Sequence, residues 1–235
     1  MKEVRFFYTP DPQGCSLPDE EAAHAVRVLR LAESDEIYLM DGKGTFYKAE
    51  ITEATKKHCL YRIVETMPQV RQWKGHLHLA MAPTKNMDRI EWFAEKATEI
   101  GFDELTFLDC KFSERKVVKL DRIDRILVSA MKQSHKAELP QLNPMTTFSQ
   151  FISGGQSSQK FICHCYDDHL PLLADLLKEG EDAVVMIGPE GDFSIDEVRE
   201  AEKTGFVSVS LGKSRLRTET AALVAVHLMH LKNES

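Results

Sequence analysis

The sequence predicts a two-part chain, with a small N-terminal β-barrel followed by an α/β domain whose parallel sheet is covered by helices. Residues 1–70 contain several short apolar or alternating runs separated by turn residues, which is typical of a small barrel. From residue 74 to residue 235, short apolar runs alternate with amphipathic helical stretches, which is typical of a parallel sheet. The segment 67–75 is polar and contains Pro68, so we place the domain boundary there.

The composition limits the class of protein. The chain has 235 residues and 43% hydrophobic residues, which is enough for a normal globular core. It contains no apolar run of about eighteen residues and no signal-peptide core at its start, so we expect neither a membrane span nor secretion. Five scattered cysteines, an odd number, favour a reducing cytosol. The net charge of −7 argues against a largely basic surface but is compatible with a local RNA-binding patch.

The N-terminal part is predicted to be mostly strands. The predicted elements are strands at 4–8, 36–40, 45–53 and 59–64, and a helix from Pro18 to about Leu31. Asp41-Gly42-Lys43-Gly44 is a strong hairpin signal between two of the strands. On a regular helix, Arg27 and Arg30 would share one face, as two phosphate-binding side chains would. The alternative is that they simply complement the negative end of the helix dipole.

The C-terminal part alternates strands with helices. The predicted strands are 76–81, 105–108, 161–165, 183–187 and 207–211. The predicted helices are 86–100, 121–137, 170–177, 194 to about 203, and a last helix running through Leu231. Gly101 is expected to end the first of these helices, and Thr218 or Thr220 to cap the last one.

Two loops in the last fifty residues stand out. In the first, Gly188 and Gly191 allow a sharp turn with exposed backbone, and Ser194 with Glu197 forms a capping box that starts a helix. The second loop follows Leu211-Gly212 and crowds Arg215, Arg217 and Glu219 into one turn beside a buried strand, where charge is costly unless it is paired or used. Either loop alone is more often a simple connection. Together they favour a site at the carboxyl edge of the sheet.

Longer motifs surround both loops. Gly188-Pro189-Glu190-Gly191-Asp192-Phe193-Ser194 resembles the GPEGGFS motif of the SPOUT-class methyltransferases that act on 16S ribosomal RNA, the RsmE family. The segment 211–221, LGKSRLRTETA, resembles the LGxRILRTETA motif of the same family. Weaker matches occur at residues 5–7, 24–30, 95–101 and 130–140. Asp192 stands where the family usually has a second glycine, and Lys213-Ser214-Arg215 shifts an arginine.

The resemblance implies a fold and an activity. The implied fold is a SPOUT domain with a C-terminal trefoil knot, preceded by a PUA-like barrel that helps to hold RNA. The implied reaction is methylation of uridine N3 in 16S rRNA by S-adenosylmethionine, by a cytoplasmic homodimer that acts within the assembled small subunit. Periodicity alone would never indicate a knot.

The resemblance and the loop chemistry together suggest site residues. Cofactor binding is expected from strand-end residues and from the two loops: His164, Tyr166, Ile187, Gly188, Pro189, Glu190, Gly191, Leu211, Gly212, Ser214, Leu216 and Arg217. The catalytic candidates are Arg217, Glu190 and Glu219, in that order. Arg217 would stabilise negative charge on the uracil, and either glutamate could accept the N3 proton or hold Arg217. RNA binding is expected from seven basic side chains: Arg5, Arg27, Arg30, Lys43, Arg115, Lys116 and Lys136.

Several other sites are excluded or less favoured. Cys163-His164-Cys165 alternates across a predicted strand, so the three side chains could not chelate one metal ion, and no metal is expected. Neither a Rossmann glycine motif nor a P-loop occurs. Two alternatives remain open. One is a SPOUT methyltransferase with another RNA target, such as a tRNA ribose. The other is a catalytically silent protein of RNA binding or ribosome assembly.

Overall fold

The computed structural model describes residues 5–55, 57–154 and 157–234. Over this part of the chain two compact units are found, one of residues 1–71 with 128–139 and one of residues 72–127 with 140–235. The segment 128–139 therefore groups with the N-terminal unit although it lies far along the chain. Within the described ranges, no helix is both long enough and apolar enough to cross a membrane.

In its described residues, the N-terminal unit contains a four-stranded sheet in the order β1-β2-β3-β4. The strands are β1 (Phe6–Tyr8), β2 (Glu36–Met40), β3 (Thr45–Ala54) and β4 (Cys59–Pro68). β1 pairs in parallel with β2, and the other pairs are antiparallel. The predicted hairpin between β2 and β3 is confirmed, and Asp41 Oδ1 accepts hydrogen bonds from the N–H groups of Lys43 (2.7 Å) and Thr45 (3.1 Å). Val4, the first residue of the predicted strand, lies outside the described residues.

The predicted helix from Pro18 to Leu31 is shorter and irregular. It consists of α1 (Asp19–Ala23) and a π-helical turn, His24–Val28. The Leu31 N–H donates to the Ala25 carbonyl at 3.0 Å, which closes the helix end around Arg30 in the left-handed conformation (φ 55°). The prediction that Arg27 and Arg30 share a regular helix face is therefore wrong, because the chain leaves the helix between them.

The C-terminal unit contains, in its described residues, one parallel six-stranded sheet in the order β10-β8-β9-β5-β6-β7. The strands are β5 (Leu77–Met81), β6 (Glu104–Asp109), β7 (Gln141–Thr147), β8 (Gln159–Cys163), β9 (Ala183–Ile187) and β10 (Val207–Val209). All of β9 is buried, as expected for a central strand covered on both faces. The parallel α/β architecture predicted from the sequence is confirmed.

Helices cover both faces of this sheet. They are α2 (Met87–Ile100), α4 (Phe148–Gly154), α5 (Leu173–Leu176), α6 (Ile195–Lys203) and α7 (Thr218–Asn233). A further helix, α3 (Leu120–Ser134), begins in this unit and ends in the segment that groups with the N-terminal unit. α4 and α6 share one apolar core with Ala80 and Met186. α7 packs against α2, β5 and β9. The sequence predicted neither β7 nor α4. The predicted capping of the last helix is wrong, because Arg217 precedes α7 without a side-chain cap.

The strand order changes direction at β5 and β9, so the topological switch point of the sheet lies at their carboxyl ends. The chain moves from β5 to β6 on one side, and from β9 past β8 to β10 on the other. Neighbouring strands whose connections diverge in this way leave a gap between their following loops, where ligands commonly bind. The Ala82 N–H donates to the Ile187 carbonyl at 2.9 Å, so the two strand ends meet. The trefoil knot stays a prediction.

Candidate functional site

The loop after β9 is a tight turn held by a backbone hydrogen bond and by a buried phenylalanine. The Asp192 N–H donates to the Pro189 carbonyl at 2.9 Å, and Phe193 is fully buried with its ring 5.5 Å from that of Phe148. A Cβ on Gly188 would lie 2.9 Å from the Phe193 backbone nitrogen, so glycine is required there. The predicted capping box of Ser194 and Glu197 is confirmed and starts α6 directly after this loop. The backbone from Gly188 to Gly191 is thereby held in one shape.

Asp192 fits this loop despite the departure from the family motif. Its φ of 65° lies in the left-handed region, which aspartate tolerates better than most residues. Its carboxylate accepts hydrogen bonds from the N–H groups of Cys165 (2.9 Å) and Phe193 (2.7 Å). Asp192 therefore takes the conformation that glycine usually supplies, and it also ties the end of β8 to the loop after β9.

His164 and Tyr166 follow β8 and lie beside the same loop. The strand ends at Cys163, so the strand alternation predicted for Cys163-His164-Cys165 does not apply beyond that residue. The Tyr166 hydroxyl donates to the Phe193 carbonyl, and its side chain remains about half exposed. His164 Nε2 is buried without a hydrogen-bond partner among the described residues. Burial lowers the pKa of His164, so its ring is neutral and has one unused polar atom to offer a ligand.

The loop after β10 reaches the same edge of the sheet. β10 pairs with β8, and Ser210 exchanges backbone hydrogen bonds with Pro171 and Leu173, both 2.9 Å long. Gly212 has a φ of 121° and open space around it. Because β10, β8 and β9 are parallel neighbours, the cofactor-binding residues predicted after each strand lie at one sheet edge. The close-approach glycines and the unpartnered His164 nitrogen fit a nucleoside-containing ligand there.

Glu190 is exposed and already has a donor. Its Oε1 accepts a hydrogen bond from the Lys85 N–H at 2.9 Å, which joins the loop after β5 to the loop after β9. Arg115 supports the same region, since its guanidinium donates to the Thr84 carbonyl (3.1 Å) and to the Lys85 carbonyl. A cleft of about 350 Å³ lies here, lined by Lys85, Glu114, Arg115, Lys116 and Val117. Glu190 is thus placed by backbone contacts rather than by Arg217.

Arg217 and Glu219 meet in another cleft of about 370 Å³. Its lining residues come from the starts of α2 and α7: Asp88, Arg89, Trp92, Arg217, Glu219 and Thr220. The Glu219 side chain is 8% exposed, and its Oε1 lies 3.6 Å from Arg89 Nε. Its Oε2 has no hydrogen-bond partner among the described residues. Of the three catalytic candidates, the structure therefore brings together Arg217 and Glu219, whereas Glu190 does not line this cleft.

The sequence interpretation missed Asp88, Arg89 and Trp92. All three lie in the first two turns of α2, whose start is capped by Asn86 accepting from the Asp88 N–H at 3.0 Å. Trp92 is 44% exposed, which is unusual for so large an apolar side chain. An arginine followed three residues later by a tryptophan on one helix face was the available signal.

The predicted RNA-binding residues fall in both units. In the N-terminal unit, Arg27 and Arg30 are exposed, and Lys43 Nζ lies 3.3 Å from the Pro10 carbonyl. Arg5 and Lys136 are half-buried in the same unit. In the C-terminal unit, Arg115 is engaged with carbonyl groups, and the Lys116 ammonium pairs with Asp109. These RNA-binding assignments stay predictions.

Comparison with known proteins identifies the two parts of the chain. Residues 71–230 match the family model of the RNA methyltransferase domain, and residues 17–64 match that of the RNA methyltransferase PUA domain. Ribosomal RNA small subunit methyltransferase E of Synechocystis is 30% identical over 89% of this chain and 70% of its own length. The Bacillus subtilis protein of the same name is 27% identical over 93% of this chain and 90% of its own.

Solved structures show the same relationship. A "probable rRNA-methyltransferase" from Porphyromonas gingivalis is 39% identical, with a TM-score of 0.92 over 98% of both chains. Ribosomal RNA small subunit methyltransferase E from Neisseria gonorrhoeae, bound to S-adenosyl methionine, is 28% identical, with a TM-score of 0.85 over 97% of this chain and 98% of that one. The chain therefore belongs to the RNA methyltransferase family that includes ribosomal RNA small subunit methyltransferase E.

Proposed function

We propose that this protein uses S-adenosylmethionine to methylate N3 of a uridine in 16S ribosomal RNA. The observation that carries the proposal is the meeting of three strand-end loops at one sheet edge, in a chain of this family. When bound, S-adenosylmethionine supplies an electrophilic methyl group. The protein's part is to hold the cofactor and the uridine in a reactive arrangement and to manage one proton.

The cofactor would be held mainly by backbone groups. Candidates are the exposed amides and carbonyls of residues 187–191 and 211–216, where glycines permit close approach. His164 would add one hydrogen bond through Nε2, and Tyr166 an exposed aromatic face. A ligand in this position would provide the partner that the buried His164 nitrogen lacks.

Arg217 has the role of stabilising charge. Uridine N3 carries a proton at neutral pH, and its removal spreads negative charge onto O2 and O4. A guanidinium cannot accept that proton, but it can stabilise the resulting anion. The Arg217 side chain is exposed and makes no hydrogen bond or ion pair with the described residues, so it is available to substrate.

The predicted basic residues of the N-terminal unit, Lys136 among them, are proposed to bind the RNA backbone, and Lys116 of the C-terminal unit to add a further contact. The net charge of −7 weakens non-specific attraction to RNA, which favours a shaped target such as the assembled small subunit over free RNA. We expect the protein to act as a homodimer in the cytosol, and all five cysteines, each within the described residues, are free thiols.

Two linked measurements test the function. Isothermal titration with S-adenosylmethionine should show binding, and purified small subunits should acquire methyl groups at uridine N3. For Arg217→Ala we expect about a 100-fold to 1000-fold lower turnover. Its cofactor Kd should change by less than about threefold, because the lost interaction acts in the transition state. Arg217→Lys is the matched control that keeps the charge.

Each alternative has its own signature. No cofactor binding by folded protein would favour a catalytically silent RNA-binding or assembly protein. Methylation of a tRNA ribose, without methylation of small subunits, would favour another SPOUT target. An equal loss of turnover and of cofactor affinity in Arg217→Ala would show that the role given to Arg217 is wrong. Full activity in a monomeric form would overturn the proposed dimeric site.

A further inference from the structure

The cleft between the starts of α2 and α7 has the composition of a pocket for one nucleobase. Trp92 presents a ring that is 44% exposed, and Arg89 and Arg217 contribute two guanidinium groups. Glu219 contributes a carboxylate whose side chain is 8% exposed. The cleft has a volume of about 370 Å³, which lies within the range of small-ligand pockets. An aromatic face beside a few hydrogen-bonding groups is how enzymes that act on bases commonly hold an extruded base.

The unpartnered oxygen of Glu219 indicates what the ligand must offer. A buried carboxylate oxygen without a hydrogen bond is costly, and such atoms are rare unless a ligand or water completes them. Arg89 lies 3.6 Å from the other oxygen, so it offsets part of the charge and leaves Oε2 open. The ligand should therefore bring a hydrogen-bond donor to Glu219 and acceptors to the two arginines.

Among the bases of RNA, uracil has this pattern. Its pairing edge presents the carbonyl O2, the N3–H donor and the carbonyl O4. Cytosine has an acceptor at N3, which a carboxylate would repel. Guanine has only one carbonyl acceptor beside its donors, so it would leave one guanidinium without a partner, and adenine has no N–H at its N1 position. One carboxylate between two guanidinium groups therefore matches the acceptor–donor–acceptor edge of uracil, whose central donor is the atom that is to be methylated.

We propose that this cleft is the target-uracil pocket, in which Trp92 stacks on the base and Glu219 accepts the N3 proton. The inference rests on the proposed function and extends it to the substrate base. In this step the N3–H bond breaks and an O–H bond forms on Glu219 Oε2. The electron pair stays on the uracil, where Arg217 and Arg89 stabilise the charge on O2 and O4. Glu219 later releases the proton to water.

This assignment changes the ranking of the two glutamates. Glu190 is exposed and its Oε1 accepts the Lys85 N–H at 2.9 Å, so it serves to join two loops. Glu219 lies in the cleft with a free oxygen and with Arg217 as its neighbour in the lining. On the sequence alone Glu190 ranks above Glu219, but both follow a strand end within a motif, and neither motif indicates which of them lies in a cleft.

Tryptophan fluorescence gives a test that does not depend on turnover. The chain has two tryptophans, and Trp73 is buried with its indole N–H donating to Asp103 at 3.0 Å. Quenching by a mononucleotide would therefore report on Trp92. With S-adenosylhomocysteine present, uridine 5′-monophosphate should quench the fluorescence, and cytidine 5′-monophosphate should require about a tenfold higher concentration. Equal quenching by both nucleotides, or by neither, would overturn the pocket.

Variants separate the roles of the two residues. Trp92→Ala should raise the KM for RNA by about 10-fold to 100-fold, since one stacked base is lost. Trp92 is exposed, so this variant is expected to fold. In Glu219→Gln an amide replaces the carboxylate and can donate a hydrogen bond to the N3 acceptor of cytosine. The preference for uridine over cytidine 5′-monophosphate should therefore fall toward equality. The turnover of this variant should fall by about 100-fold or more, with an unchanged Kd for S-adenosylmethionine.

The controls distinguish this inference from the proposed function. Glu95→Gln, on the exposed side of α2, should retain wild-type preference and turnover. If the wild type neither binds cofactor nor methylates small subunits, the proposed function fails. If it does both while Trp92→Ala and Glu219→Gln behave as wild type, the function stands and the pocket assignment is wrong.

Discussion

Asp192 provides a quantitative test of how the loop after β9 is held. Three substitutions separate its backbone conformation from its hydrogen bonds. Asp192→Gly removes both carboxylate bonds but relieves the left-handed strain, Asp192→Ala removes the bonds and keeps the strain, and Asp192→Asn keeps one acceptor oxygen. The affected donors are the N–H groups of Cys165 and Phe193, at 2.9 and 2.7 Å.

The expected magnitudes follow from these contacts. Asp192 is half-exposed, so each hydrogen bond is taken as about 1 kcal/mol, the value for an ordinary net contribution. The left-handed conformation costs a non-glycine residue about 1 kcal/mol. Asp192→Gly should therefore lower the unfolding free energy by about 1 kcal/mol, and Asp192→Asn by a similar amount. Asp192→Ala should lower it by about 2–3 kcal/mol, because nothing offsets the lost bonds.

Urea unfolding followed by tryptophan fluorescence measures these differences. Trp73 and Trp92 both belong to the C-terminal unit, so the signal reports on the unit that contains Asp192. Cofactor affinity should fall most in Asp192→Ala, since the link between the ends of β8 and β9 is lost. If Asp192→Ala were no less stable than Asp192→Gly, the conformational argument would be refuted. If Asp192→Gly bound S-adenosylmethionine at least tenfold more tightly, Asp192 would be a defect in the cofactor site.

Three further predictions concern other parts of the chain. Arg30→Gly should raise the unfolding free energy of the N-terminal unit by about 0.5–1 kcal/mol in calorimetry, because glycine adopts φ 55° freely. The slope of log K for RNA binding against log salt concentration should also fall by about 1, which corresponds to one lost phosphate contact. An unchanged slope would show that Arg30 does not contact the RNA backbone. Burial lowers the pKa of His78 to about 4, whereas the unfolded chain binds that proton near pH 6.5. The unfolding free energy of the C-terminal unit should therefore fall by about 3 kcal/mol between pH 6.5 and pH 4. His78→Asn should flatten this decrease in urea titrations at each pH, and an unaltered slope would contradict the assignment. Below pH 4.5 a second loss is expected, because the hydrogen bond from His76 lowers the pKa of Glu104 to about 2. Arg115→Ala should lower the Tm as well as the activity, because the guanidinium holds the loop after β5. Lys119→Ala, an exposed control, should leave the Tm unchanged, and RNA binding that is lost in Arg115→Ala without a change in Tm would favour a pure RNA contact instead.

The features that were predictable from the sequence are set by local chemistry. The capping box of Ser194 and Glu197 and the hairpin at Asp41-Gly42 each depend on residues close together in the chain, and both are confirmed. β7 was missed because it contains Pro144 and is only partly buried, so it lacks the apolar run of a central strand. As an edge strand of the sheet it can accommodate a proline. The irregular end of the helix at Arg30 was not predictable either, because helix propensity does not indicate where a π-helical turn will end a helix.

The shared edge of the strand-end loops was predictable for a different reason from the proposed uracil pocket. The residues predicted to bind the cofactor follow strands directly, and parallel strands bring their following loops to one edge whatever their order. Trp92 and Glu219 instead meet because α2 packs against α7, a contact between helices far apart in the chain. No spacing rule relates them. The sequence therefore indicated Glu219 through its motif but could not indicate the ring beside it.

The unpartnered oxygen of Glu219 also has a consequence for stability. An unsatisfied buried carboxylate is unfavourable by about 1–3 kcal/mol. Its position in the first turn of α7 and its pairing with Arg89 at 3.6 Å offset about 1 kcal/mol of this unfavourable free energy. Glu219→Met, of similar length and apolar, should therefore raise the unfolding free energy by about 1 kcal/mol while abolishing methyl transfer.

A surface glutamate serves as the control for the stability change expected in Glu219→Met. In urea unfolding, Glu95→Met should change the unfolding free energy by less than about 0.5 kcal/mol, as exposed substitutions usually do. If Glu219→Met were instead destabilised by more than about 1 kcal/mol, the carboxylate would be serving the fold through its arginine partner. A gain in stability with a loss of activity is the pattern expected of a group kept for its substrate, because its missing hydrogen-bond partner is the N3–H of the bound uracil.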